Sequence, residues 1–308
     1  MSTTTPDTDA TPDCLEGQSP VVTLVVDSRP RDLGGGFVVR RTLPSPRRRL
    51  VGPFIFFDQM GPVDLPPGQG LDVRPHPHIA LATVTYLFSG EIEHRDSLGS
   101  YQTIRPGDVN WMIAGRGIAH SERSGTDTRR DGMRLHGIQS WVALPKEHEE
   151  DEPRFEHHPR ATLPRIEREG VLLDVIAGTA FGARSPAPVL SPTLYVHALF
   201  EDGATLLIDR EHEERAVYVV EGELEIDGAR YEPGMLAIFN AGFDVTLRAH
   251  GKTRAMVLGG AKLDGERHIF WNFVSSSKER IEVAKHAWKE ERFPLVPGDE
   301  HERTPLPE

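Results

Sequence analysis

One cysteine, Cys14, is all the thiol chemistry that the 308 residues carry. A disulfide scaffold, a zinc finger and a thiolate metal site are thereby excluded, and a reducing cytoplasm is the expected compartment. No run reaches the roughly 18 uninterrupted apolar residues that a membrane helix requires, so no membrane partner is expected. The opening MSTTTPDTDATPDCLEGQSP has neither a basic n-region nor an apolar h-region, and no secretory signal is read there. Basic charge is also short: 35 Lys and Arg against 47 Asp and Glu leave a net charge of −12. A surface built for phosphates wants the opposite balance, so nucleic acid is not an expected partner.

What the chain does have is punctuation. Its 29 glycines and 25 prolines break it every few positions. Between them lie short runs rich in Val, Ile, Thr, Tyr and Phe, such as Pro20-Val-Val-Thr-Leu-Val-Val26, Thr83-Val-Thr-Tyr-Leu-Phe88 and Ala216-Val-Tyr-Val-Val220. That pattern predicts an all-β protein of many short strands, as in a sandwich or barrel. Residues 1–19 are polar and nearly free of aliphatics, which predicts a disordered tail. Residues 20–144 read as a first strand-rich domain and 145–169, with their acidic, proline-bounded run, as a solvated linker. Residues 170–308 read as a second domain.

The two domains repeat one another. The first has Val84-Thr-Tyr-Leu-Phe-Ser-Gly90-Glu-Ile-Glu93 and then Pro106-Gly107-Asp108; the second has Val217-Tyr-Val-Val-Glu-Gly222-Glu-Leu-Glu225 and then Pro233-Gly234-Met235. Each copy predicts antiparallel hairpins of a small barrel. Near the C-terminus, Ser276 and Glu279 have the spacing of a capping box. Ile281, Ala284 and Trp288 then fall on one helical face, and Pro294 ends the pattern. One short amphipathic helix packing back on a barrel is expected.

The chemistry concentrates in Arg74-Pro-His76-Pro-His78 and, 42 residues on, His120-Ser-Glu122. Side chains alternate along a strand, so His76 and His78 point one way, as do His120 and Glu122. Two such strands inside one small barrel would converge three imidazoles and a carboxylate on a point. This N3O1 set suits one divalent ion, whether Fe(II), Mn, Ni, Cu or Zn, and leaves positions open for substrate or dioxygen. Elsewhere the signals are weaker. Gly115-Arg-Gly117 lacks the next glycine of a dinucleotide fingerprint, Gly34-Gly-Gly36 reads as a turn, and Arg47-Arg-Arg49 as a solvated loop. His94, His136, His157 and His158 read as surface or hydrogen-bonded histidines, and no nucleophile elbow is evident. Asp58, Gln59, Gln139 and Trp141 have either pocket-shaping or packing roles.

At these residues the chain resembles the cupin superfamily and, within it, the pirin family. The likeness is carried by Pro53-Phe-Ile-Phe-Phe-Asp58-Gln-Met, by His76-Pro-His78 and the strand after it, and by Asn110-Trp-Met-Ile-Ala-Gly-Arg-Gly-Ile-Ala-His120-Ser-Glu122. Leu135-His-Gly-Ile-Gln-Ser-Trp141 and Trp271-Asn-Phe-Val-Ser-Ser-Ser-Lys-Glu-Arg280 extend it. The resemblance implies a bicupin of two stacked barrels. One metal ion, Fe(II) by preference, would sit in the N-terminal barrel on residues matching His76, His78, His120 and Glu122. Cupins usually place a Glu soon after His-x-His; here Ile79-Ala-Leu-Ala-Thr83 has none, so Glu122 would supply the carboxylate. The second copy offers only Arg210-Glu-His212-Glu-Glu-Arg215 and is expected to be a metal-free, degenerate barrel. The activity implied is that of a quercetin 2,3-dioxygenase acting on a flavonol with dioxygen, with Glu122 as catalytic base. The family also implies a second role, a redox-sensing regulator that works through a protein partner.

Overall fold

The computed structural model describes residues 14–32 and 37–307. Gly34-Gly-Gly36 and the tail up to residue 13 lie outside the described residues. The described residues form the expected strand-rich bicupin. In the first barrel a seven-stranded sheet runs in the order Arg154–His158, Val109–Ile113, Leu81–Ser89, Met133–Ala143, Phe54–Leu65, Val38–Leu43, Arg29–Asp32. A four-stranded sheet, Asp72–His78, Ile118–Arg123, Ile92–Asp96, Tyr101–Ile104, lies across from it. The second barrel is a single eleven-stranded sheet built around Glu214–Ile226 and Val245–Gly260. The repeat seen in the sequence is a repeat in backbone. Gly90 and Gly222 turn at φ +82° and +79°, where a Cβ would lie 2.9 Å from Arg134 O and 2.5 Å from Lys252 O. Only glycine fits either turn.

Alternation along Leu81–Ser89 divides the roles of its two faces. Val84 and Tyr86 point to the second barrel, while Thr85 points into the first. The barrels therefore share a core in which Phe54, Tyr86 and Trp111 meet Tyr195, Tyr218 and Met256. Ring centroids are 4.9 Å apart for Phe54–Tyr195 and 5.1 Å for Phe57–Tyr218. Several polar groups buried in this seam are bonded to one another. Tyr218 OH donates to Gln59 Oε1 at 2.7 Å, Gln59 Nε2 lies 3.0 Å from His136 Nε2, and Tyr86 OH lies 3.0 Å from His197 Nδ1. Gln59 thus belongs to the seam and not to the first barrel's interior.

The seam sets a pH dependence. Burial pushes His136 down to about 4 and lowers His197 as well. Between that range and the ordinary value of about 6.5 the unfolded chain binds more protons than the folded one. Stability therefore falls as pH drops from about 6.5 toward 4, by up to about 1.4 kcal/mol per pH unit for each fully shifted group. Urea midpoints of wild type and His136→Gln at pH 7, 6 and 5 check this. The variant's slope should be shallower, and parallel slopes would contradict the assignment.

Three boundaries differ from the sequence expectation. Cys14–Ser19, assigned above to the tail, pairs as an edge strand with Val22–Asp27. Val22–Asp27 in turn pairs with Met235–Phe239 and so belongs to the second barrel's sheet. Its apolar run is completed by a partner more than 200 residues away, a pairing that local pattern does not encode. The stretch 145–169 is not bare linker either: Arg154–His158 pairs with Val109–Ile113, and Arg165–Arg168 with Val171–Ala180. Edge strands need only one bonded flank, which is why such polar sequence can supply them.

The helix forms over Lys278–Lys289 and buries Ile281, Ala284 and Trp288 as expected. Its cap is Ser277, whose Oγ accepts from Arg280 N at 3.2 Å. Ser276, the predicted cap, instead donates through its N and Oγ to the buried Glu149 carboxylate. The helix packs on Ile79 and Ala119 of the first barrel, not on the second. The segment beyond it follows: Arg123 donates to Asp299 at 2.7 Å, and Thr304 N donates to Pro75 O at 2.8 Å.

Candidate metal centre

Asp72–His78 and Ile118–Arg123 are antiparallel neighbours, with His120 opposite His76 and Ile118 opposite His78. That register places all three imidazoles on the interior face. One ligand-capable atom from each of His76, His78 and His120 lies within 4.8 Å of the others, and all three residues are buried. Among the described residues this is the one group of its kind. The first barrel holds it; in the second, His212 Nε2 is bonded to Thr179 O at 2.9 Å.

The groups behind the rings decide which nitrogens face inward. His76 Nδ1 is 2.9 Å from Arg74 O, and His78 Nδ1 is 3.1 Å from Asn272 O. A carbonyl oxygen only accepts, so both Nδ1 atoms carry the proton and both Nε2 atoms present lone pairs. Burial lowers His76 to about 4. Burial, reinforced by the neighbouring rings, holds His78 and His120 well below their ordinary range. The cluster is therefore neutral at physiological pH. His78 Nε2 and His120 Nε2 stand 3.1 Å apart. Three buried imidazole nitrogens this close together suit coordination of one cation, so the donor set fits a divalent metal ion.

Glu122 is placed differently. The pairing slips by one residue between His120 and Glu122, which sets Glu122 opposite Val73. The extra residue lies on Asp72–His78; against Ile92–Asp96 the register of His120 and Glu122 is regular, so both face the interior. The Glu122 carboxylate stands outside the three-imidazole group. Glu122 Oε1 instead accepts from Thr85 Oγ1 and Gln139 Nε2, both at 3.3 Å, from the facing sheet. Burial pushes its pKa up, against smaller opposing effects of His94, Thr85 and Gln139. A row across the large sheet leads up to it: Thr85 opposite Gln139, Gln139 opposite Asp58, Asp58 opposite Arg41. Arg41 clasps Asp58 with two bonds at 2.9 and 2.8 Å. Trp141 presents an edge to His78, centroids 5.1 Å apart, and stacks on Phe56 at 4.0 Å.

Of the residues given two readings above, Gln139 and Trp141 adjoin the site and Asp58 extends it. His157 bonds Asn110 Oδ1 at 2.8 Å on an edge strand. Arg48 pairs with Glu214 at 2.6 Å and Arg49 with Glu266 at 3.8 Å, so that loop is tied to the second half of the chain. Sequence reasoning missed Thr85 and the Asn272 carbonyl. The alternation that put His76 and His78 inside also puts Thr83 and Thr85 inside. Nothing local points to Asn272, 194 positions from the ring it holds.

Comparison with known proteins agrees with this architecture. The family model described as Pirin matches residues 36–142, and that described as Pirin C-terminal cupin domain matches 195–294. A pirin-like protein of Caulobacter vibrioides is 50% identical over 94% of this chain and 100% of its own length. A Pseudomonas aeruginosa protein provisionally named a quercetin 2,3-dioxygenase is 42% identical over 86% of this chain and 83% of its own. The crystal structure of quercetin 2,3-dioxygenase from Acinetobacter baumannii superposes with a TM-score of 0.86 at 32% identity, covering 92% of this chain and 94% of that one. With the paired barrels and the first barrel's histidine cluster, these matches place the chain in the pirin family of bicupins.

Proposed function

We propose that the protein is a metal-dependent oxygenase of flavonols, using one divalent ion, Fe(II) by preference, held by His76, His78 and His120. The observation that carries this is three neutral, buried imidazoles beside a buried carboxylate whose proton affinity is raised. The likeness to the Acinetobacter quercetin 2,3-dioxygenase supports the substrate class. When bound, a divalent cation supplies Lewis acidity toward a hydroxyl oxygen and a centre for dioxygen. The chain's own part is proton management. Glu122 accepts the proton of the flavonol's enolic hydroxyl, a task favoured by the higher proton affinity that burial gives its carboxylate. Thr85 and Gln139 donate to Glu122 Oε1 and so aim the carboxylate. Freed from them, it can turn toward the imidazoles as a fourth ligand. Trp141 walls the site on the His78 side.

The test is loss of quercetin absorbance by Fe(II)-loaded protein in air and under anaerobic conditions. Oxygen-dependent loss is expected. Glu122→Gln, which keeps shape and hydrogen bonds, should lower kcat by about 100-fold or more. Metal-loaded protein that leaves quercetin untouched in air would overturn the oxygenase reading.

A further inference from the structure

We propose that His94 and Asp96 are positioning residues that fix the tautomer of His120 and thereby aim its Nε2 at the metal. The assignment rests on the metal-binding reading above. Both sit on Ile92–Asp96, the strand beside Ile118–Arg123, where Asp96 is opposite His120 and His94 is opposite Glu122. His94 is buried, its ring stacked on Phe155 at 4.3 Å and 10°. Asp96 is fully buried. Its Oδ1 accepts from Leu98 N at 2.9 Å and Ser100 N at 3.1 Å, while Oδ2 lies 3.1 Å from His94 Nε2.

The proton positions then follow in sequence. An ionised carboxylate only accepts, so His94 Nε2 carries the proton and His94 Nδ1 is a lone pair. That lone pair faces His120 Nδ1 at 3.4 Å. With a metal on its Nε2, 3.1 Å from His78 Nε2, His120 carries its proton on Nδ1 and donates it to that lone pair. His76 and His78 receive the same instruction from backbone carbonyls. His120 receives it from side chains and is the one ligand whose aim can be reversed by substitution. Groups of this kind behind a metal ligand are worth about 10–100-fold in metal affinity.

Asp96→Asn is the informative substitution. The asparagine Oδ1 keeps both turn N–H bonds, which turns its NH2 toward His94 Nε2. His94 must then accept at Nε2 and carry its proton on Nδ1, donor against donor with His120. Zn(II) affinity is measured by competition with a chromophoric chelator, and His120 protonation by long-range 1H–15N correlation of the Zn(II) protein. Asp96→Asn should weaken Zn(II) binding by about 10–100-fold, without lowering the thermal midpoint of the metal-free protein in proportion. His94→Gln, whose amide oxygen can accept from His120, should retain more affinity than His94→Leu. Equal Zn(II) affinity and an unchanged His120 signal in Asp96→Asn would overturn the proposal while leaving the metal site standing. A wild-type protein that binds no Zn(II) would overturn both.

Discussion

Arg267→Ala is expected to destabilise the protein by about 3–5 kcal/mol, the range for stripping one partner from a buried ion pair. Arg267 is completely buried, and every bond of its guanidinium is internal. Nε lies 2.8 Å from Glu149 Oε1, and Nη2 lies 2.5 Å from Asp264 Oδ1 and 2.7 Å from Leu144 O. Glu149 is also buried and accepts from Ser275 Oγ at 2.9 Å and from Ser276 N and Oγ. Removing the arginine leaves that carboxylate charged in a dry site with only neutral donors. The loss also reaches the metal centre. The strand Phe273–Ser275 that Glu149 anchors follows Asn272, whose carbonyl orients His78, and Phe273 bridges to Ile79. Urea denaturation should show the drop, and Arg267→Ala combined with Glu149→Ala should recover part of it. A loss below about 1 kcal/mol would mean that the pair is no stronger than a surface bridge.

Removal of a metal ligand is expected to have the largest effect on ligand binding. His78→Ala or His120→Ala should weaken divalent-ion affinity by more than the roughly 100-fold that supporting residues command. Each leaves two imidazoles and forfeits the opposed pair of nitrogens 3.1 Å apart. The effect also appears as stability. Binding to the native state adds RT ln(1 + [L]/Kd), about 4 kcal/mol at a thousand-fold excess over Kd, so the wild type should melt higher on adding Zn(II). Both variants should lose that increment. His212→Ala, in the other barrel and bonded to a carbonyl, should keep it. Glu122→Ala separates two geometries: a small change matches the carboxylate resting on Thr85 and Gln139, and a loss equal to that of His120→Ala matches a permanent fourth ligand. Metal-induced stabilisation that survives in His120→Ala would remove the site from this strand.

Much of the architecture was legible because it is written in short-range pattern. Period-two alternation marked the strands, glycine and Pro-Gly turns marked the hairpins, and their recurrence marked two barrels. The three histidines were legible for the same reason, since alternation alone places His76 and His78 on one face. Glu122 also faces the interior, but its carboxylate rests on Thr85 and Gln139 of the opposite sheet. The slip between His120 and Glu122 is a property of the pairing with Asp72–His78, and no single strand's sequence records it. The helix cap moved from Ser276 to Ser277 because a buried carboxylate from residue 149 claimed the first serine. The boundaries were least legible. Val22–Asp27 looks like any first-barrel strand, and only the open edge of Met235–Phe239 determines where it goes.

The exchange of ends between the halves bears on how the protein is made. Domains of a growing chain ordinarily fold one after another, N-terminal first, as they leave the ribosome. Here the second barrel borrows a strand from residues 22–27, and the first leans on residues 264–304 for the backbone that steadies His76 and His78. The first barrel cannot be completed until those C-terminal residues have been made. The histidine pocket is therefore complete only once a segment 194 positions beyond His78 has come back to hold its ring.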